Sequence, residues 1–489
     1  MDVLIAGAGP TGLTVAIELQ RRGVPYRIVE ASPRPFEGSR GKGLQPRTLE
    51  VLEDLGVLGA FLTAGADYPV LRVRRPGSPD LEMRLDELHE PTPAVPYPNL
   101  WMVPQWRTGE LLAGHLAAMG GRIEYGVGVD RLHQDDAGVH AVLSTGETVT
   151  TRYAVGADGG RSTVRKALGV GFTGGTDETQ TMLIADVRVS GLSRDAWHIW
   201  PGPDGRTQRL GLCPLPGTDL WQLTAPLGGS VADVVAEVAP ELTLTHVGWT
   251  STFRANTRMA DRFRVGGVFL AGDAAHVHSP AGGQGLNTGV QDAYNLGWKL
   301  AAGDDPLLDT YEAERLPVAA EVLGISSRLH DRHSGDAAEA MRRDDPVLRQ
   351  LSLSYRGGPL SADRRTRPGS VRAGDRAPDA PCHGPDGSPV RIFDVLRGPH
   401  WTLLAFGAPA VPLGDGVHSV SVVRPGAMAG ADVVVDTHGH AHDAYDVRTP
   451  TYVLVRPDNY LGCVTEDPAE LHAYLSDPVR RVRVPAGRR

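Results

Sequence analysis

The chain has 489 residues, enough for two or three domains with sizeable cores, and its hydrophobic share of 41% with 22% charged residues is that of a globular protein. A formal net charge of -9 argues against nucleic acid as a partner, and no apolar run is long enough to span a bilayer. Three cysteines, Cys213, Cys382 and Cys463, lie far apart and form no CxxC pair, which argues against a disulfide framework and a thiol redox centre.

The first predicted element is a buried parallel strand at Val3-Leu4-Ile5-Ala6, beginning too early to leave room for a signal peptide. A cytoplasmic protein is expected. Residues 11–22 carry apolar side chains at helical period (Leu13, Ala16, Ile17, Leu19), Gly23 stops that helix, and "VPYRIVE" reads as a second strand. Gly7, Gly9 and Gly12 therefore sit at a strand-to-helix turn inside a βαβ unit. Gly7 permits the tight turn, Gly9 lets a pyrophosphate approach the backbone at the helix N-terminus, and Gly12 allows close helix–strand packing. Pro10 and Thr11 complete the turn. Glu30, next to Ala31, lies about 20 residues on, where a carboxylate binds ribose hydroxyls. These residues point to a dinucleotide without separating NAD from FAD.

A loop follows, then a helix from about Thr48 to Leu58, strands within 69–86, a proline-rich loop at 91–98 and a helix from Thr108 to Met119. Residues 122–155 read as short strands. "YAVGADGGRSTVRKALG" (153–169) is an apolar strand ending at Asp158-Gly159, with Ser162 placed to cap the next helix. Residues 171–259 are strand-rich, with one helix near 231–238. "GGVFLAGDAAH" (266–276) repeats the earlier grammar, its strand ending at Gly272-Asp273 before a Pro/Gly-rich loop, Ser279 to Gly285, that enters another helix. An aspartate at such a turn suits a ribose or ribityl hydroxyl. Helices are predicted at 292–302, 311–330 and 467–475, and 356–381, rich in Arg, Gly and Pro, reads as a linker.

Together these motifs resemble the FAD-dependent aromatic hydroxylases, the para-hydroxybenzoate hydroxylase-like single-component flavoprotein monooxygenases. "SRGKGLQPRTLEVLEDLG" (39–56) is similar to the family's S-R-x-x-G-L-x-x-R-x-x-E segment and "VPQWRTGELL" (103–112) to its Q-x-x-[LT]-x-x-x-L segment. The likeness covers roughly residues 1–330. The tail, with "GDRAPDAP" and "TYVLVRPDNYLGCV", resembles the thioredoxin-like C-terminal domain of the polyketide and phenol hydroxylase branch.

The resemblance implies an α/β and α+β fold. A Rossmann-like FAD-binding domain (1–70, 98–170 and 260–330) would join a β-sheet-rich substrate domain (71–97 and 171–259). A helix and linker (331–370) would lead to a thioredoxin-like C-terminal domain (371–489), structural and a candidate homodimer surface. Glu30 would bind the adenosine ribose and Gln105 the ribityl chain. Asp158 and Gly159 would serve FAD and NAD(P)H. Asp273, after Gly272, would hold a ribityl hydroxyl. Arg40 would sit near the flavin or the path of NADPH. Pro280 and the Gly282-Gly283-Gln284-Gly285-Leu286-Asn287 loop would lie beside the isoalloxazine, where backbone donors stabilise the reduced anion. Arg40, Pro280, Gly282 and Gly283 are the candidate catalytic positions, and no metal site is assigned.

NADPH or NADH would reduce the flavin, and O2 would form a C4a-hydroperoxide that hydroxylates a bulky aromatic substrate in a site that excludes water. Baeyer–Villiger or antibiotic-inactivating oxidation, and a flavoprotein that sequesters its ligand without turnover, remain alternatives. "WHIWP" (197–201) differs in spacing from the W-x-W-x-I-P signature of flavin halogenases. Trp197, His198, Trp200, Trp221 and Gln222 are candidate pocket residues; His276 and His278 read as packing or supporting histidines.

Overall fold

Val3–Ala6 is buried along its whole length in the computed structural model, as an apolar run covered on both faces must be. The structure describes all residues except 76, 205–206, 280–281, 333–344, 428–429, 478 and 481–489, and only the backbone at 177–180, 255 and 325–332. Val3–Ala6 pairs in parallel with Tyr26–Glu30 on one side and Tyr153–Gly156 on the other. Tyr153–Gly156 pairs in parallel with Val268–Leu270, and the six-stranded sheet closes with Arg264–Val265 and Ile123–Tyr125 at its edges. Three strands far apart in sequence thus end side by side, each running into one of the glycine turns.

Helix Pro10–Gln20 crosses helix Gly285–Ala302 closely. A Cβ added at Gly289 would stand 2.5 Å from Thr11 Oγ1, and one at Gly297 would stand 2.3 Å from Glu18 Cβ. Only glycine permits that approach, which ties the start of the chain to the helix behind the third motif.

The second sheet has eight strands. Its spine is the antiparallel pair Phe172–Ser190 and Thr243–Ala260, continued by Trp221–Pro226, Gln208–Pro214 and Ala196–Pro201, then by Val70–Val73 and Leu81–Met83. One face carries Leu183, Ala185, Val187, Leu223 and Ala225 and is covered by helix Val231–Val238. The other face looks toward the six-stranded sheet. A small sheet of Val129–Asp135, Gly138–Leu143 and Thr148–Thr151 is separate in its strand pairing but shares the apolar core of the first sheet.

The tail forms another eight-stranded sheet. Trp401–Phe406 is parallel to Val417–Val423 and antiparallel to Thr451–Val455, which pairs antiparallel with Leu461–Thr465. Helix Pro468–Ser476 packs its Leu471 and Tyr474 beside Trp401 and Cys463. This is a thioredoxin-like order. Ala362–Asp363, within the segment expected as linker, joins the sheet edge beside Leu461–Thr465, because free backbone groups there accept a strand regardless of side-chain pattern. The helix expected at 311–330 extends over Asp305–Arg332, and that expected at 292–302 starts at Gly285, since tertiary packing buries turns whose own period is weak. Burial pushes the Cys382 and Cys463 thiols up to about 12.

A buried ionic cluster joins the tail to the helices behind the first sheet. Arg456 Nη1 is 2.6 Å from Glu314 Oε1, Arg456 Nη2 is 2.6 Å from Asp458 Oδ2, and Lys299 Nζ is 2.7 Å from Glu314 Oε2. Trp298 meets Trp401 edge to face, with centroids 5.7 Å apart.

Candidate cofactor and substrate cleft

The first turn is closed on two glycines and open on the third. Gly7 has φ +103°, and a Cβ there would stand 2.3 Å from Ala157 O. A Cβ on Gly12 would stand 1.9 Å from Gly7 O, whereas one on Gly9 would meet nothing within 4 Å. Gly9 therefore faces free space at the start of Pro10–Gln20, where unpaired helix N–H groups attract an anion. Glu30, at the end of its strand, accepts the Ala8 N–H at 2.9 Å and the Ser32 N–H at 2.9 Å, holding this turn against the second strand. Ala31 beside it is exposed.

Asp158 lies in the turn two residues past the neighbouring strand, which ends at Gly156 rather than at Asp158-Gly159. Its Oδ2 accepts the Thr163 and Val164 N–H groups at 2.7 and 3.2 Å, while its Oδ1 is buried with no hydrogen-bond partner among the described residues. Ser162 caps the next helix by accepting the Arg165 N–H. A Cβ on Gly159 would meet nothing within 4 Å.

Gly272, in the left-handed region at φ +59°, follows Val268–Leu270, and a Cβ there would stand 2.5 Å from Thr11 Oγ1. The third motif is thereby pressed against the first. Asp273 opens to the cleft, yet protein crowds around it. That desolvation raises its carboxyl above the ordinary value, while the charges of His276 and Arg40 oppose the rise.

Beyond it, Gly282 and Gly283 have φ of +90° and +63°, and Gly285 begins the long helix. Gln284 and Asn287 turn inward. Gln284 donates to Gly282 O and Leu348 O, and Asn287 donates to Gly43 O and Gly283 O while accepting from Gln45 N–H. These side chains hold the described part of the loop from the protein side, with Gly282 buried and Gly283 exposed. Pro280 lies outside the described residues.

Gln105 opens helix Gln105–Ala118, accepts the Gly41 N–H at 2.9 Å, and shares the surroundings of Gly41 with Leu286. Arg40, next in the chain, is exposed. It donates to Ser251 Oγ at 3.1 Å and lies 5.8 Å from the ring centroids of both Phe36 and Trp249. It ties the loop that follows Tyr26–Glu30 to the second sheet.

The inner face of the second sheet forms the roof. Register places Met182 with Phe253, Ile184 with Ser251 and Thr224, and Asp186 with Gln222, and directly paired residues share a face. Lys42 enters from the Arg40 loop, pairs with Gln222 and stands 3.8 Å over the Trp197 ring. Burial pushes Asp186 up to about 6, against the pull of Ser39 and Lys42, and lowers the Lys42 ammonium. Trp200 and Trp221 instead belong to the core on the outer face, and His198 is buried between Arg74 and Ser193 O.

The open approach at Gly9, the unpaired Asp158 oxygen and the acid at Asp273 line one edge of the first sheet, an arrangement that fits a dinucleotide with a diphosphate. A family model described as FAD binding domain matches residues 1–225 and 229–326. The chain belongs to this family. It is an FAD-dependent monooxygenase. A flavin-dependent monooxygenase of Mycobacteroides abscessus is 45% identical over 97% of this chain and 99% of its own. A rifampicin monooxygenase of Rhodococcus hoagii is 33% identical over 97% of both chains. Aklavinone-11 hydroxylase, solved in a ternary complex with FAD and aklavinone, superposes with TM-score 0.79 at 26% identity, covering 98% of this chain and 99% of the other.

The monooxygenase also holds a buried network that the motif reading missed. His276 Nε2 stands 2.6 Å from Asp292 Oδ2, which also accepts the Gly272 N–H at 3.0 Å. Asp292 Oδ1 accepts from Arg315 Nε at 2.7 Å, and His276 Nδ1 meets His278 Nε2 at 2.9 Å. Burial would raise the Asp292 carboxyl, but Arg315 and His276 hold it well below the usual range. Burial and the neighbouring His276 push His278 down to about 3. Asp292 sits among Gln291, Asn295 and Lys299 on its helix, so no local pattern singled it out as the buried partner of a histidine. Lys42 carried none, because its partners come from a strand some 180 residues away.

Proposed function

We propose that the enzyme consumes NADPH or NADH and O2 to insert one oxygen atom into a bulky aromatic substrate of polyketide or phenolic type, held between the flavin turns and the roof. The observation that carries this reading is the Arg40–Ser251 contact, which brings the cofactor edge and the inner face of the second sheet to one cleft. Bound FAD supplies the oxygen-activating chemistry. Its relatives act on rifampicin and aklavinone, large aromatic molecules, which supports the substrate class.

Each residue has a task that follows from its place. Gly9 and Thr11 present backbone N–H groups to the diphosphate, Pro10, which has none, sets the first helical turn, and Gly7 and Gly12 allow the turn to close. Glu30 takes the adenosine ribose, while Gln105 and Asp273 hold the ribityl chain. Asp158 and Gly159 complete the cofactor edge. Backbone donors of residues 282–287, braced by Gln284 and Asn287, would stabilise the reduced isoalloxazine. Arg40 offers a fixed cation where the reduced nicotinamide donor approaches. Met182, Ile184 and Phe253 exclude water over the reacting ring.

The test is NADPH consumption by the flavin-loaded protein in air, with and without polycyclic phenols, naphthoquinones and aromatic antibiotics, with product mass and peroxide recorded together. Accelerated consumption with a product heavier by one oxygen atom is expected. Ligand binding with neither NADPH loss nor product would replace this reading with sequestration.

A further inference from the structure

The small sheet that stands apart from the cleft carries a chelating triad. His133 and His140 are directly opposite each other on the antiparallel strands Val129–Asp135 and Gly138–Leu143, and Asp135 lies two residues along from His133 on the same face. The two imidazoles stack, with centroids 4.8 Å apart and planes inclined by 16°. One ligand atom from each of the three residues lies within 4.8 Å of the others. His133 and Asp135 are exposed and His140 is half-buried, so water has free access to complete a coordination shell.

The hydrogen bonds of His140 add an independent observation. Its Nδ1 is 3.0 Å from Thr150 Oγ1 and its Nε2 is 2.9 Å from Asp135 Oδ1. In the tautomer that donates Nδ1–H to the threonine, Nε2 keeps a lone pair beside the carboxylate and both can ligate one cation; in the other, Nε2–H is hydrogen-bonded to Asp135 and a bound cation takes the place of that proton. A ligating histidine that gives its other N–H to a neighbouring oxygen has its tautomer and ring orientation set for metal. Bonds of about 2.0–2.2 Å from a zinc ion to nitrogen and oxygen place neighbouring ligands roughly 3 Å apart, which the Nε2–Oδ1 spacing already meets. Imidazole and carboxylate donors with open water positions select a divalent ion such as Zn²⁺ over Mg²⁺ or Ca²⁺.

We propose that His133, Asp135 and His140 form a surface binding site for a divalent transition-metal ion, with Thr150 orienting His140. The ion ties the two strands together. Gln134, between two of the ligands, donates to Val265 O at 3.1 Å and accepts the Gly267 N–H at 3.0 Å. That turn leads directly into Val268–Leu270 and the Gly272-Asp273 motif, so the clamp stiffens the support of the cofactor edge without entering it.

The experiment is calorimetric titration of Zn²⁺ into the EDTA-treated, FAD-loaded full chain, alongside H133A, H140Q and the double variant, with Tm measured with and without the ion. His140→Gln keeps hydrogen-bonding reach toward Asp135 and Thr150, and circular dichroism checks that each variant is folded. One Zn²⁺ per chain is expected, with a rise in Tm. In the double variant affinity falls by roughly a hundredfold and the rise disappears. Failure of the parent chain to bind, or binding of the same stoichiometry and affinity in the folded double variant, which would place the ion elsewhere, overturns the proposal.

Discussion

His276 and Asp292 are joined by a 2.6 Å contact inside the protein, and the same Asp292 oxygen holds the Gly272 N–H. One carboxylate thus fixes both a buried histidine and the turn that presents Asp273 to the cleft. It does so because Arg315 supplies a compensating charge on its other oxygen. Asp292→Asn should leave Arg315 buried without its partner and cost about 3–5 kcal/mol of stability. FAD retention should fall with it. Urea unfolding and flavin content measure both; a variant of unchanged stability would contradict this account.

The glycine turn separates packing from binding. Gly12→Ala forces a Cβ against backbone at 1.9 Å, so we expect a loss of about 3 kcal/mol or more. Gly9→Ala meets open space, so stability of the flavin-free protein should change by no more than about 0.5 kcal/mol. FAD affinity should nevertheless fall by about tenfold, because the methyl stands where the diphosphate approaches. Thermal melts with and without FAD distinguish the two variants.

Asp273 and Arg40 should fail in different assays. Asp273→Ala removes an acceptor worth roughly 1.5–3 kcal/mol, and FAD should bind roughly ten- to a hundredfold more weakly. Arg40→Ala should keep its flavin and be reduced by NADPH about tenfold more slowly. Equilibrium dialysis and anaerobic stopped-flow reduction provide the readouts. Normal reduction of the Arg40 variant would remove its assigned role.

Acid should open the joint between the tail and the rest of the molecule. Burial alone would raise the Glu314 carboxyl, but Arg456 and Lys299 outweigh it and hold it at about 2, below an ordinary value of 4.5. A carboxyl depressed in the folded state stabilises fully above its unfolded value, and that contribution is lost as pH falls from about 4.5 toward about 2. Glu314→Gln should flatten this part of the stability-versus-pH curve while lowering stability near neutrality. A wild-type slope retained in the folded variant would assign the acid sensitivity elsewhere.

Much of the geometry of the glycine turns was legible because its signals are local. A glycine at a strand-to-helix turn, an acid at a strand end and a serine before a helix act on neighbours a few residues away. Ser162 caps its helix as its position predicted. The pocket candidates fared differently. Trp197 and Gln222 face the cleft side with Lys42, while Trp200 and Trp221 sit in the outer core. Strand alternation assigns Trp197 and His198 to opposite faces without naming the face that will be covered. That choice depends on which layer, helix Val231–Val238 or the cofactor domain, lands on each side.

The sequence by itself determined the βαβ turn, the repeated strand-to-turn grammar at 153–169 and 265–285, and the family likeness they create. Their chemistry is written in short-range patterns of apolar period, glycine and charge. Only the tertiary structure decided that Gly272 presses on Thr11, that Asp292 serves His276, Gly272 and Arg315 at once, and that Lys42 reaches Gln222. Such contacts join residues from 16 to 180 positions apart and more. They exist only because burying the apolar faces of two sheets and their helices forces the polar groups between them to find one another.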